Sequence, residues 1–331
     1  MSEMYDVTII GGGPVGMFAA FYCGLHKLSA QLIESLPELG GQLTALYPEK
    51  QIWDVAGLPG VTATKLVDHL KEQLALVDVD QFTGEKVTDV TRNDDGTFTI
   101  QSADRTSQSK SVLIALGNGS FHPRKLALPG ADKIEGKQLH YFVQHKADFA
   151  GQRVAVLGGG NSALDNAKML TPVAKRVTLI HRRDQFRGHE LVADHLRAMA
   201  GVDLMTPFLP RELTVNDDQS LTLHLKKMRS DEETTLTVDK LVVNYGFTAN
   251  NDALDQWSLD LASERQQIKV NQQMATNIPG VYAIGDAATY PGRTALIATG
   301  FGEAPVAVTA IAKQLYPDKS LAMHSSSMKL K

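Results

Sequence analysis

The stretch VAVLGGGNSALD, Val154–Asp165, passes from four apolar residues through three glycines into a helix-forming segment. A second stretch of the same kind, VTIIGGGPVGMF, stands at Val7–Phe18. Between a strand and a helix this pattern acts through the backbone. The first glycine permits a tight turn, the second lets a pyrophosphate approach the main chain, and the third lets helix and strand pack closely. The phosphates then meet free N–H groups at the helix N-terminus. Gly11, Gly13, Pro14 and Gly16 are the candidate contacts in the first loop. Gly158, Gly160, Asn161 and Ser162 are those in the second, with Ala163 in the place of the third glycine.

The neighbours of the two loops also correspond. AQLIE ends at Glu34 and RVTLIHRR ends at Arg183, each the second strand of its unit. Downstream, KVTDVTRNDDGTFTIQS alternates around a turn at Asn93–Gly96, and ELTVNDDQSLTLHL does so around Asn216–Ser220. Both read as hairpins. Continuous apolar strands follow them, VLIAL and KLVVNYG. One module is therefore used twice: a βαβ unit, a three-stranded meander and a last parallel strand. GVYAIGDAA, then a helical pattern from about Thr294 to Leu315, would return to complete the first sheet. The expected fold is α/β, with two Rossmann-like, three-layer dinucleotide-binding domains, the second inserted in the first. The expected boundaries are 1–118 plus 246–331 for the outer domain and 119–245 for the inner one. The crossings LGNGSFHPRK and YGFTANND both contain glycine and could act as hinges.

The residue closing the second strand distinguishes the two sites. Glu34 can accept hydrogen bonds from both hydroxyls of an adenosine ribose. The inner module has His181 there, followed by Arg182 and Arg183, with Arg187 nearby. Guanidinium groups suit a 2′-phosphate, because each offers a charged planar fork. The inner site therefore reads as NADP(H), and the outer one as FAD or NAD. The Gly-Asp of GDAA favours FAD. Asp286 at a strand end can hold a ribityl hydroxyl, and the helix near Thr294 would point its positive end at the ring.

The chain has 331 residues, 43% hydrophobic and 21% charged, with a formal net charge of −4. That length allows about two domains, and the charge advertises neither nucleic acid nor an anionic membrane. No apolar run approaches the roughly 18 residues of a membrane span, and no signal peptide is visible. The single cysteine, Cys23, lies among Phe18, Phe21, Tyr22 and Leu25, and reads as a small core residue. It provides neither an internal disulfide nor a cysteine metal site, and a cytoplasmic setting is expected.

The order GGGPVG, GGQL, GGGNSA, HRRD and GDAA resembles the low-molecular-weight thioredoxin reductases over nearly the whole chain. Their Cys-x-x-Cys pair is missing. KQLHYFVQHKADFAGQRV holds no cysteine, and neither does SLPELGGQLTALYPEK, where other flavoprotein disulfide reductases carry theirs. Dithiol exchange needs a thiolate beside the flavin. With the tail LAMHSSSMKLK, the pattern closely resembles the thioredoxin-reductase-like ferredoxin–NADP⁺ reductases. That resemblance implies a homodimer whose C-terminal tail, about 316–331 here, crosses to cover the partner's flavin. His324 matches the covering ring, with Ser325 and Ser327 as neighbours, and Tyr47 matches the ring on the opposite face. Glu34, Gln42, Tyr47, Val87, Phe121, Asp286 and Ser327 fall on positions that the family uses for FAD. Gly41 and Thr294 complete the candidate set. Leu116 departs from the broader superfamily, which often has threonine there. His140 and His145 receive no role.

The resemblance implies hydride transfer between NADPH and flavin, followed by one-electron transfers with ferredoxin or flavodoxin. The nicotinamide C4 must come within about 3–3.5 Å of flavin N5, a matter of geometry without a general base. A diaphorase or quinone reductase would need the same cofactors and remains open at this point. A flavin-containing redox sensor is a third reading, and it needs an unseen partner.

Overall fold

The computed structural model describes residues 4–250 and 252–319, with backbone alone at 120–121, 248–250 and 252–253. The chain forms two compact units. One comprises Met1–Ala45, Gln51–Ser120 and Ala249–Lys331, and the other Leu46–Lys50 and Phe121–Thr248. The inner unit is thus inserted in the outer one. The five residues around Tyr47 group with the inner unit, although both flanks belong to the outer one.

The outer unit is built on a seven-stranded sheet. Its path runs Asp80–Phe82, Ala30–Ile33, Met4–Ile10, Thr106–Ile114, Phe98–Ser102 and Val87–Arg92. The nine-residue strand Thr106–Ile114 holds the sheet together. From Gln108 to Ile114 it pairs in parallel with Met4–Ile10. Along its other edge, Thr106–Ser109 pairs antiparallel with the hairpin, and Val112–Ile114 pairs in parallel with Val281–Ala283. The third strand of the meander and the last parallel strand are therefore one strand here, where the sequence suggested two in succession. The core beneath contains Val7, Ile9, Leu32 and Leu113, all fully buried.

In the inner unit the two remain separate. Five parallel strands run in the order Leu139–His140, Lys240–Val243, Arg153–Leu157, Arg176–Ile180 and Val202–Met205. The meander Phe208–Val215, Leu221–Lys227 and Glu233–Val238 forms its own sheet. Asp239 breaks the chain between Glu233–Val238 and Lys240–Val243. Its carboxylate accepts the Arg153 backbone N–H at 2.7 Å and guanidinium N–H groups at 3.1 and 2.6 Å.

The crossing segments Ser120–Pro123 and Phe247–Asn250 pair with each other as a two-stranded sheet. No helix among the described residues is long and apolar enough to cross a membrane. Cys23 is fully buried, and burial pushes its thiol pKa up, as suits a packing residue.

Candidate functional site: two glycine loops and their clasps

In both loops the strand ends at the glycines and the helix starts at once, as Pro14–Leu25 and Asn161–Leu170. Pro14 takes the first helical turn, where a missing N–H costs nothing. Gly11, at φ 113°, lies so close to the Ala115 carbonyl that a Cβ would collide with it. Gly158, at φ 148°, lies likewise against the Asn244 carbonyl. Gly16 packs on the Gly11 carbonyl, and the methyl of Ala163 serves against Gly158. By contrast, a Cβ at Gly13 or Gly160 would meet nothing within 4 Å. Those two positions offer a bare backbone at the helix start, the cradle that a pyrophosphate requires.

The middle glycines were not singled out in the sequence, and they explain why each loop has three. A Cβ at Gly12 would fall 2.8 Å from Glu34 Cβ. A Cβ at Gly159 would enter the His181 ring. The side chain that follows the second strand thus sits directly on the glycine loop, in both units.

Glu34 is 6% exposed. Its Oε2 accepts the Gly12 N–H at 2.7 Å, and its Oε1 accepts the Leu36 N–H at 2.8 Å and the Ser35 hydroxyl at 3.1 Å. Both oxygens are therefore fixed in direction, and lone pairs remain for hydroxyl donors. The Glu85 N–H donates to the Glu34 carbonyl at 2.9 Å, so the chain entering Val87 runs beside it. Val87 itself is 5% exposed and packs in the core with Ile33 and Val90.

Gly41, at φ 57°, approaches Gly13 so closely that a Cβ would sit 3.1 Å from the Gly13 Cα. The Gln42 amide reaches toward Gly117. Beside Gly117, Asn118 donates from Nδ2 to Asp286 Oδ2 at 3.2 Å. Asp286 is also held by Arg293 at 3.2 Å, and Arg293 Nε donates to Glu303 Oε1 at 2.9 Å. Glu303 is 3% exposed and accepts the Gly285 N–H at 2.7 Å and the Tyr290 hydroxyl at 2.9 Å. Gly13, Gly41, Gln42 and Asp286 are thus joined by Gly117, Asn118, Arg293 and Glu303, none of which the sequence singled out. The only available signal was the position of Arg293 seven residues after the Gly-Asp.

The last helix spans Ile297–Leu315, with Leu296 as its cap. It starts three residues later than the sequence suggested. Thr294 lies before it, exposed, with its carbonyl accepting the Leu296 N–H in a turn. Phe121 falls in the strand Ser120–Pro123. His324, Ser325 and Ser327 lie outside the described residues. Tyr47 is half-buried, with the Lys50 ammonium 5.6 Å from its ring centroid. Lys50 in turn pairs with Asp165 at 2.9 Å.

In the inner unit the second strand ends at Ile180, so Arg182, Arg183 and Arg187 belong to a loop and are exposed. No carboxylate pairs with any of them among the described residues. His181 is 8% exposed, and its ring stacks on Phe186 at 5.5 Å. Burial first, then the charges of Arg183, Arg182 and Arg187, holds its imidazole below the usual range and therefore neutral at pH 7. Burial pushes the nearby Tyr245 phenol up to about 12, with Arg182 acting the other way. His140 Nε2 donates to the Lys137 carbonyl at 3.0 Å and its ring packs edge-on against Phe149, whereas His145 is exposed.

Residues 5–310 match the family model for pyridine nucleotide-disulphide oxidoreductases. The chain is 68% identical to a ferredoxin–NADP reductase of Limosilactobacillus reuteri over 326 residues, covering 98% of each chain. It is 48% identical to ferredoxin–NADP reductase 2 of Bacillus subtilis over 328 residues, covering 99% of this chain and 98% of that one. The chain belongs to the ferredoxin–NADP reductases of the pyridine nucleotide-disulphide oxidoreductase family. Solved structures agree on the fold. A Lactococcus lactis thioredoxin reductase superposes with a TM-score of 0.78 at 27% identity, covering 93% of this chain and 98% of that one. The T. acidophilum thioredoxin reductase gives 0.79 at 24% identity, covering 94% and 99%, and speaks for the fold alone. Within a disulphide oxidoreductase family this reductase carries one cysteine, and it is buried.

Proposed function

We propose that the chain is an FAD-dependent ferredoxin–NADP⁺ reductase, with FAD in the outer unit and NADP(H) in the inner one. One contrast carries the reading: a carboxylate stands on Gly12, whereas an imidazole followed by two arginines stands on Gly159. The first suits a free ribose and the second a ribose 2′-phosphate. The ferredoxin–NADP reductases at 68% and 48% identity support ferredoxin as the acceptor, with flavodoxin as its chemical equivalent.

The residues present fit both cofactors. The backbone at Gly13 and Gly160 is open to a pyrophosphate, and both helices end there with free N–H groups. Glu34 would hold the adenosine ribose of FAD. Asp286, held by Asn118 and Arg293, would take a ribityl hydroxyl, with Gly41 and Gln42 beside the pyrophosphate loop. Arg182, Arg183 and Arg187 would take the 2′-phosphate, and Asn161 and Ser162 the helix-side phosphate. When bound, the flavin converts two-electron hydride chemistry into one-electron transfer. The chain's own task is to orient both cofactors and to set the local field. That task needs no dithiol, and the chain has no pair of cysteines to provide one.

The anchoring of the chain just after its last helix supports a homodimer with exchanged tails. Tyr316 and Lys319 are anchored at the far end of the last helix, on Asp6 and on the His26 carbonyl. That helix, Ile297–Leu315, is about 28 Å long. Five residues from Lys319 to His324 span at most about 18 Å. A ring at His324 would therefore fall short of the N-terminal end of that helix in its own chain, so a ring over the flavin would have to come from a partner. Tyr47 would cover the other face. A cytoplasmic setting accords with the single, buried cysteine.

The test is an anaerobic titration of the purified yellow protein with NADPH and with NADH, followed by steady-state comparison of ferredoxin, flavodoxin and quinones. Bleaching by NADPH at lower concentration than NADH, and faster turnover with ferredoxin, is the expected result. A colourless protein that takes up no FAD would overturn the assignment. Quinone turnover exceeding that with both protein acceptors would replace it with a diaphorase.

A further inference from the structure

The loop between Arg176–Ile180 and the helix Glu190–Ala198 carries the three arginines, but its shape comes from other side chains and from backbone bonds. The His181 and Phe186 rings stack with centroids 5.5 Å apart and planes 22° apart. Phe186 is half-buried and packs on the core formed by Val156, Leu164 and Leu179. Immediately after it, the Arg187 and Gly188 N–H groups both donate to the Gly159 carbonyl, at 2.7 and 3.2 Å. The Asn161 Oδ1 accepts the His189 N–H at 2.9 Å. Gly188 is pressed against Leu164 so tightly that a Cβ would clash. The loop is thus closed onto the glycine turn at both ends, with the ring pair as its hub.

We propose that Phe186 is the positioning residue for selection of NADP(H) over NAD(H): its ring, between His181 and the core, fixes the turn that presents Arg182, Arg183 and Arg187 to a 2′-phosphate. This inference rests on the NADP(H) assignment made above. Phe186 has no atom that could bind phosphate. Its effect runs through entropy. Three free arginine side chains on a free loop would lose backbone and rotamer freedom on binding, whereas a loop already ordered by folding loses little. A cofactor without the 2′-phosphate does not use the cradle and gains nothing from its order.

The test uses the FAD-loaded full chain with ferricyanide as electron acceptor. Phe186→Ala should raise the NADPH KM by about tenfold, a loss of roughly 1.4 kcal/mol of binding. Its kcat at saturation and its NADH KM should stay unchanged. Phe186→Tyr keeps a flat ring and should restore the NADPH KM. Inhibition by 2′-phospho-ADP-ribose should weaken in parallel with NADPH, and inhibition by ADP-ribose should not. If Phe186→Ala fails to fold, Phe186→Leu fills most of the volume without a ring to stack on His181, and it carries the same expectation. An unchanged NADPH KM, or equal rises for NADPH and NADH, overturns the role of Phe186. The double variant Arg182→Ala/Arg183→Ala separates this from the assignment beneath it. If that variant keeps its NADPH preference, the NADP(H) reading itself fails. If it loses the preference while Phe186→Leu keeps it, only the positioning role fails.

Discussion

Glu34 Oε2 accepts the Gly12 N–H at 2.7 Å, so the carboxylate assigned to a ribose is oriented by the loop assigned to the pyrophosphate. The loop and the carboxylate proposed to hold adenosine diphosphate are thereby one hydrogen-bonded unit. Glu34→Gln keeps one acceptor oxygen and should retain the loop, yet it loses the charge-assisted part of each bond. Such bonds contribute about 1.5–3 kcal/mol each. FAD retention should fall by about tenfold or more, which ultrafiltration followed by absorbance of the filtrate would measure. Retention equal to the parent protein would remove Glu34 from the site.

Arg293 has 5% of its side chain exposed and bridges Asp286 to Glu303. Replacing it by Met preserves bulk but leaves the buried Glu303 carboxylate without its cation. Breaking a buried pair in this way costs about 3–5 kcal/mol. Arg293→Met should therefore both unfold at lower urea and release FAD. Arg293→Lys, which keeps the charge, should do both less. Comparison of the two variants by urea titration monitored through flavin fluorescence would decide.

The doubled module was legible because strand, glycine loop and helix follow one another within a dozen residues, as at Val7–Phe18 and Val154–Asp165. The placement of Glu34 and His181 on their loops was legible for the same reason, since both stand at the same offset from the first glycine. What the sequence did not reveal depends on contacts made at a distance. Arg293 and Glu303 look like ordinary charged residues near a helix start until the fold buries them as a pair, with Glu303 on the Gly285 N–H. Gly12 and Gly159 look redundant until a side chain from the next strand is seen to occupy the space of their Cβ atoms. The start of the last helix was misplaced by three residues because Thr294 and Ala295 have helix-compatible side chains, and a turn over Thr294–Leu296 delays the first helical bond. The merged strand Thr106–Ile114 also escaped notice, since Ser107, Ser109 and Ser111 are polar yet buried on one face.

Asp239 separates the meander from the parallel sheet of the inner unit by holding Arg153. The Arg153 guanidinium, through its hydrogen bonds, lowers the Asp239 pKa, and burial opposes this only in part. A carboxyl whose pKa is depressed by folding contributes stability above its unfolded value, near 3.8, and loses that contribution as the pH falls through the folded value. Asp239→Asn should therefore destabilise the inner unit by about 1 kcal/mol at pH 7. The gap between variant and parent should close toward pH 2. Urea titrations at the two pH values, followed by near-UV circular dichroism, would measure it. A gap that widens on acidification would contradict the sign.

Tyr316 donates its phenol proton to Asp6 Oδ1 at 2.7 Å, and Lys110 reaches the same oxygen at 2.8 Å. Burial would raise the Asp6 pKa, but the bonds from Lys110, Tyr316 and Ser29 outweigh it and bring it down. This cluster ties the residue after the last helix to the first strand, at the point from which the tail departs. Tyr316→Phe removes one of three donors and leaves the ring in place, so a loss of about 1 kcal/mol is expected. For a chain of this size that is roughly 2 °C in Tm. If the tail must start from this corner to reach a partner, the same variant should slow NADPH turnover while leaving FAD content intact. Asp6→Asn should lower Tm further, because it leaves the Lys110 ammonium without its partner. A Tyr316→Phe protein that melts earlier with unchanged turnover would show that the anchor stabilises the outer unit without guiding the tail.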